Sequence, residues 1–99
     1  MDIRIQAIHF DATAKLEAFI QRKIGKLEQY SDDVMLAEVT LRVVKPESAK
    51  NKEVAVLLKT KNSDCFAEKT NDTFEESVDE CVDALEKQLI KFKEKSRAK

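Results

Sequence analysis

Hydrophobic residues along this 99-residue chain switch between two periods, and the order of those switches constrains the fold more than any single motif. Asp2-Ile-Arg-Ile-Gln-Ala-Ile8 alternates apolar and polar until Ile8, the period of a strand with one buried face. Leu16, Phe19, Ile20, Ile24, Leu27 and Tyr30 then fall at helical spacing, which predicts a helix of about four turns ending near Tyr30. Asp11 to Thr13 supplies its N-cap candidates. Gly25 lies opposite the stripe and weakens the helix by about 1 kcal/mol relative to Ala. Either that loss is tolerated or something approaches the backbone there.

The strand period returns at Glu38–Val44, with Val39, Leu41 and Val43 on one face and Glu38, Thr40 and Arg42 on the other. Glu53–Thr60 repeats it, with Val54, Val56 and Leu58 matching the apolar face. Ser31–Asp33 and Lys61–Asp64 read as turns, Pro46–Lys52 as a polar loop, and Cys65–Thr70 as a shorter fourth strand. Thr73-Phe-Glu-Glu76 fits a capping box, and Phe74, Val78, Cys81, Val82, Leu85, Leu89 and Phe92 follow as an unbroken helical stripe. The order β-α-β-β-β-α predicts an α+β domain: a four-stranded mixed sheet with two helices on one face. The first strand, helix and second strand make a right-handed crossover, so those strands should run parallel, with the rest joined as hairpins.

The length fits one domain over residues 1–99. One Gly and one Pro leave no room for a Gly-rich phosphate loop. No apolar run approaches the roughly twenty residues that span a bilayer, and the N-terminus has no signal-peptide apolar region. The expectation is a cytoplasmic chain with no membrane partner. Cys65 and Cys81 belong to no paired-cysteine motif and read as two reduced thiols packed as small hydrophobes. His9 is the single imidazole, no Ser or Cys has a partner at a recognisable spacing, and Asp32-Asp33 reads as turn chemistry. No enzyme, metal, cofactor or small-molecule substrate is expected.

Charge is sharply segregated near the C-terminal end. Asp72 to Glu86 holds seven acids and no base, whereas Lys87 to Lys99 holds six bases against the single acid Glu94. The formal charge of the whole chain is −1, so composition alone hides this local excess. Because the Debye length at physiological salt is only about 8 Å, a local excess can still hold a phosphate backbone. Acids early and bases late also complement a helix dipole, although two or three charges would meet that demand. On a helical wheel Lys15, Arg22 and Lys26 share one flank of the first helix, and Lys23 lies nearer the apolar edge, where it must snorkel. In the second helix Lys87 and Lys91 point outward, Lys95 lies on the same flank and Lys93 on the opposite one. If both helices cover one sheet face, their late turns can form a shared phosphate-binding surface. The same bases could equally be a solvated face, since Lys15, Lys87 and Lys91 have acids nearby that could pair with them.

Three segments carry a resemblance: the opening strand leading to Lys23-Ile-Gly-Lys26-Leu-Glu-Gln-Tyr30, Thr73-Phe-Glu-Glu-Ser-Val-Asp79, and Asp83-Ala-Leu-Glu-Lys87-Gln-Leu-Ile-Lys91-Phe-Lys93-Glu-Lys95. With the β-α-β-β-β-α order they resemble the short ribosome hibernation promoting factors, also called ribosome-associated inhibitors or the sigma-54 modulation protein family. The resemblance implies a fold like that of double-stranded-RNA-binding domains. It further implies binding to the small ribosomal subunit in the mRNA channel across the tRNA A and P sites, with steric inhibition of translation and protection of idle ribosomes. The RNA-facing bases it implies are Arg22, Lys23, Lys26, Lys87, Lys91, Lys93 and Lys95. The C-terminal dimerisation domain of long members has no counterpart within residues 1–99, so the free chain is expected to be monomeric or weakly associated. A general structured-RNA binder or a protein-binding adaptor remains the alternative.

Overall fold

The computed structural model describes residues 1–45, 47, 49–61 and 63–97, and side chains as far as residue 92. Pro46 and Ser48 of the expected loop, Asn62 of the expected turn, and Lys99 of the basic run lie outside the described residues. The elements follow the expected order: β1 (Asp2–Ala7), α1 (Ala14–Gly25) continued by a 3-10 segment (Lys26–Tyr30), β2 (Val34–Val43), β3 (Lys52–Thr60), β4 (Asp64–Asn71) and α2 (Phe74–Arg97). The sheet order is β1-β2-β3-β4. β1 runs parallel to β2, and the two later pairings are antiparallel.

Alternation decides which face is buried. Ala37, Val39 and Leu41 of β2, Val54, Val56 and Leu58 of β3, and Cys65 and Ala67 of β4 share one face and one core with the helices. Leu16, Ile20, Ile24 and Leu27 enter that core from the first helix, and Val78, Cys81, Leu85 and Leu89 from the second. Both helices therefore cover the same side. The opposite side carries Glu38, Thr40 and Arg42 as expected, with Arg42 facing Glu53 at 3.9 Å and Glu38 near Lys59 at 3.9 Å.

Each helix begins on a threonine. Thr13 Oγ1 accepts from the Leu16 amide at 3.1 Å, and Thr73 Oγ1 from the Glu76 amide at 3.1 Å, each satisfying an amide that has no partner inside its helix. The first helical stripe does reach Tyr30, but its α geometry ends at Gly25 and the last five residues tighten to 3-10. Gly25 has helical φ −58° and nothing within 4 Å of where a Cβ would sit. Nothing approaches the backbone there, and the glycine is simply tolerated.

β2 starts at Val34, four residues before the clean alternation, because the register slips between Val34 and Leu36 and breaks the period-two signal. At its other end Val43, expected in the core, is 38% exposed. Its partner Lys52 is the first residue of β3, at the end of the sheet. The fourth strand is longer than its sequence suggested, running Asp64–Asn71.

Candidate nucleic-acid interface

The helices pack side by side in the same direction. Phe10, just before α1, stacks on Phe74, the first residue of α2, with ring centroids 5.3 Å apart. Further along, Lys23 Nζ meets Asp79 Oδ1 at 3.3 Å. Beyond that, the Tyr30 hydroxyl bonds the Glu86 carboxylate; this bond, then partial desolvation and the negative charge, raise the Tyr30 pKa above its ordinary value. Partners thus climb both helices together.

The far flank of α2 is fixed just as firmly. Ser77 Oγ donates to the Lys52 carbonyl at 2.7 Å, and Asn71 Nδ2 donates to Glu80 Oε1 at 3.0 Å. Two residues past Glu86, the Gln88 amide donates to the Phe66 carbonyl at 2.8 Å and accepts from the Phe66 amide at 3.3 Å. With one flank held by α1 and the other by β4, the azimuth of α2 is set. Lys87 and Lys91 are left facing solvent.

The seven candidate bases fall into three situations. Arg22, Lys26, Lys87 and Lys91 are exposed, and among the described residues no acid lies within ion-pair distance of them. Among the described residues, Lys15, Lys87 and Lys91 therefore make no pairing with neighbouring acids, and the Glu94 side chain lies outside them. Lys23 is different: half-buried, it engages Asp79 and lies 5.6 Å from the centroid of the Phe19 ring. The Arg22 guanidinium carbon sits at the same distance from that ring, a cation–π contact on an exposed residue. Lys93 and Lys95 lie on the helix, but their side chains are outside the described residues.

Within the seam Asp79 is taken up by the ion pair with Lys23, whereas Glu86 keeps its negative charge beside the neutral Tyr30 hydroxyl. Sequence reasoning missed two residues of this arrangement. Tyr30 was read only as apolar, and Gln88 only as part of a motif. A glutamine set between Leu85 and Leu89 of a buried stripe was the available signal, since a side-chain amide there needs a polar partner.

Both cysteines are buried and free. Burial pushes the Cys81 thiol up to about 12 and raises Cys65 as well. The Cys81 sulfur lies 3.4 Å from the Val54 carbonyl oxygen and 3.7 Å from that of Ala67. These are packed thiols, poorly suited to act as thiolates.

Fold and site together define a small α+β domain with an exposed basic helix surface. The chain belongs to the sigma 54 modulation protein / S30EA ribosomal protein family, whose model matches residues 3–97. It is 33% identical over 97 residues to a ribosome hibernation promotion factor of Lactococcus lactis subsp. cremoris, covering 96% of this chain and 51% of that protein. A ribosome hibernation promoting factor of Azotobacter vinelandii is 28% identical over 95 residues, covering 96% of this chain and 85% of the relative. The chain thus spans about half the length of the first of these and most of the second. In fold it is similar to the Thermus thermophilus Protein Y N-terminal domain, with a TM-score of 0.81 at 20% identity over 93% of this chain and 99% of that one. A ribosomal subunit interface protein from Coxiella burnetii gives a TM-score of 0.84 at 22% identity, covering 94% and 98%. No helix among the described residues is long and apolar enough to cross a membrane.

Proposed function

We propose that this chain acts as a ribosome hibernation domain. It binds the small ribosomal subunit in the mRNA channel across the A and P sites, blocks initiation by occupying that space, and shields idle ribosomes in the cytoplasm. It needs no cofactor, turns over no substrate and is monomeric when free. The observation that carries the reading is the set of exposed bases Arg22, Lys26, Lys87 and Lys91, without an ion-pair partner among the described residues, on two helices packed side by side. Long cations on fixed elements suit a phosphate surface whose sequence is not read. The similarity to ribosome hibernation factors of L. lactis and A. vinelandii supports the ribosome as that surface. Lys93 and Lys95 continue the basic sequence along α2, and Lys23 contributes by holding the helix seam.

The test is co-sedimentation with small subunits. Replacing Lys87 and Lys91 together by Glu should weaken binding at least about tenfold and lower the salt slope by about two units, with little change in melting temperature. Lys15→Glu should matter much less. Unchanged binding by the Lys87/Lys91 variant, or a loss that tracks unfolding, would sink the phosphate-surface reading. Equal competition by isolated duplex RNA would favour a general structured-RNA binder.

A further inference from the structure

At the end of the sheet where α1 and α2 begin, Ile8, His9, Phe10, Arg42 and Val43 line an open recess. We propose that this recess binds a single unstacked RNA nucleotide, with the base on the Ile8–Phe10–Val43 floor and the phosphate against Arg42. His9 forms the rim. The choice of RNA rests on the ribosomal reading above; the geometry of the recess does not.

Three features make the recess suited to such a ligand. Its floor is preformed: Phe10 is held by a near-parallel stack on Phe74, with 11° between the ring planes, so little ordering is needed when a base arrives. Val43 adds an apolar side chain that the helices leave uncovered. The cation beside this floor is also available. Arg42 is 53% exposed and meets Glu53 only through Nε at 3.9 Å, which leaves the outer edge of its guanidinium to donate to a phosphate. Finally, His9 holds a φ of 66°, in the left-handed region where glycine sits without strain and other residues do not. An imidazole is thus kept at the lip at some conformational cost, the kind of local strain that accompanies ligand sites. An apolar or aromatic face with a neighbouring cation is how unpaired nucleotides are held.

The recess is separate from the basic helix surface. It adjoins Phe74, and Lys87 lies thirteen residues further along α2, about 20 Å away along the axis. RNA lying on the late helix turns would reach it only through a second segment.

Titration of isotope-labelled protein with millimolar adenosine 5′-monophosphate, followed by amide chemical shifts, tests the proposal without the ribosome. Saturable shifts are expected at Ile8, His9, Phe10 and Val43, and inorganic phosphate alone should bind more weakly. Arg42→Ala and His9→Gly should each weaken the nucleotide by about fivefold or more. His9→Gly should melt at or above the parent temperature, because glycine relieves the left-handed backbone, so loss of binding there is not loss of fold. Shifts confined to the helix lysines, an equal response to phosphate alone, or unchanged affinity in both variants would overturn the proposal. If the nucleotide saturates the recess but small subunits do not bind, the recess stands and only the ribosomal reading falls.

Discussion

The two halves of α2 are built from the same repeating stripe, yet they serve different ends. From Phe74 to Leu89 nearly every turn is tied to a neighbour: Ser77 to β3, Asp79 to α1, Glu80 and Gln88 to β4, Glu86 to Tyr30. Beyond Leu89, the last buried residue among the described side chains, Ile90 and Phe92 are 39% and 38% exposed and Lys91 faces solvent. The acids of the first half are largely spent inside the molecule, as hooks and as complements to the helix N-terminus. Lys87 and Lys91 have no ion-pair partner among the described residues. One charge pattern in the sequence thus has two causes.

This contrast can be broken by substitutions on either side of Leu89. Leu85→Ala, at a fully buried position, should cost about 2–5 kcal/mol in denaturant melts, whereas Ile90→Ala should cost less than about 1 kcal/mol. Comparable losses would mean that the second half is packed as firmly as the first.

The alkaline limit sharpens the same point. Because the folded Cys81 thiol is raised from its ordinary 9.0 to about 12, the folded state favours the protonated form. Its contribution is complete below pH 9 and is lost as the pH climbs toward 12. Thermal stability should therefore fall across that window, and Cys81→Ala should flatten the fall. An equally steep decline in that variant would assign the effect elsewhere.

A smaller loss is expected at the clamp. Gln88→Ala removes two hydrogen bonds and should cost about 1–2 kcal/mol, with faster hydrogen exchange at the Phe66 amide in particular. Unchanged exchange there would show that β4 does not depend on α2. The smallest effect should be a gain: Gly25→Ala, at a helical position with open space for a methyl, should add about 0.5–1 kcal/mol.

Wherever the hydrophobic period was regular, the sequence was a good guide. The order of elements, the parallel first pair, the threonine caps and the common helix-bearing face all followed from alternation, helical spacing and connection rules. Regularity failed at the β2 bulge, where one extra residue conceals the strand start from a period-two reading. It also failed at Val43, since alternation tells which face a side chain joins but not how far the helices extend over it. Along the helices, the wheel set Lys87 and Lys91 outward and Arg22 and Lys26 on one flank of the first helix, because that depends on one helix alone. The engagement of Lys23 with Asp79 depends on how two helices meet, and no local pattern contains that information.

Gln88 has one further consequence. An outer strand with bare amides and carbonyls is a template on which another chain can add itself, and through that growth proteins aggregate. At Phe66 both backbone groups of β4 are occupied by a side chain that ends in an amide, a chemical copy of the peptide group a recruited strand would offer. The helix that carries the bases thus also insulates one border of the sheet. A second polypeptide laid along β4 would have to displace Gln88 at Phe66, a barrier set at one border of the sheet, with β1 forming the other.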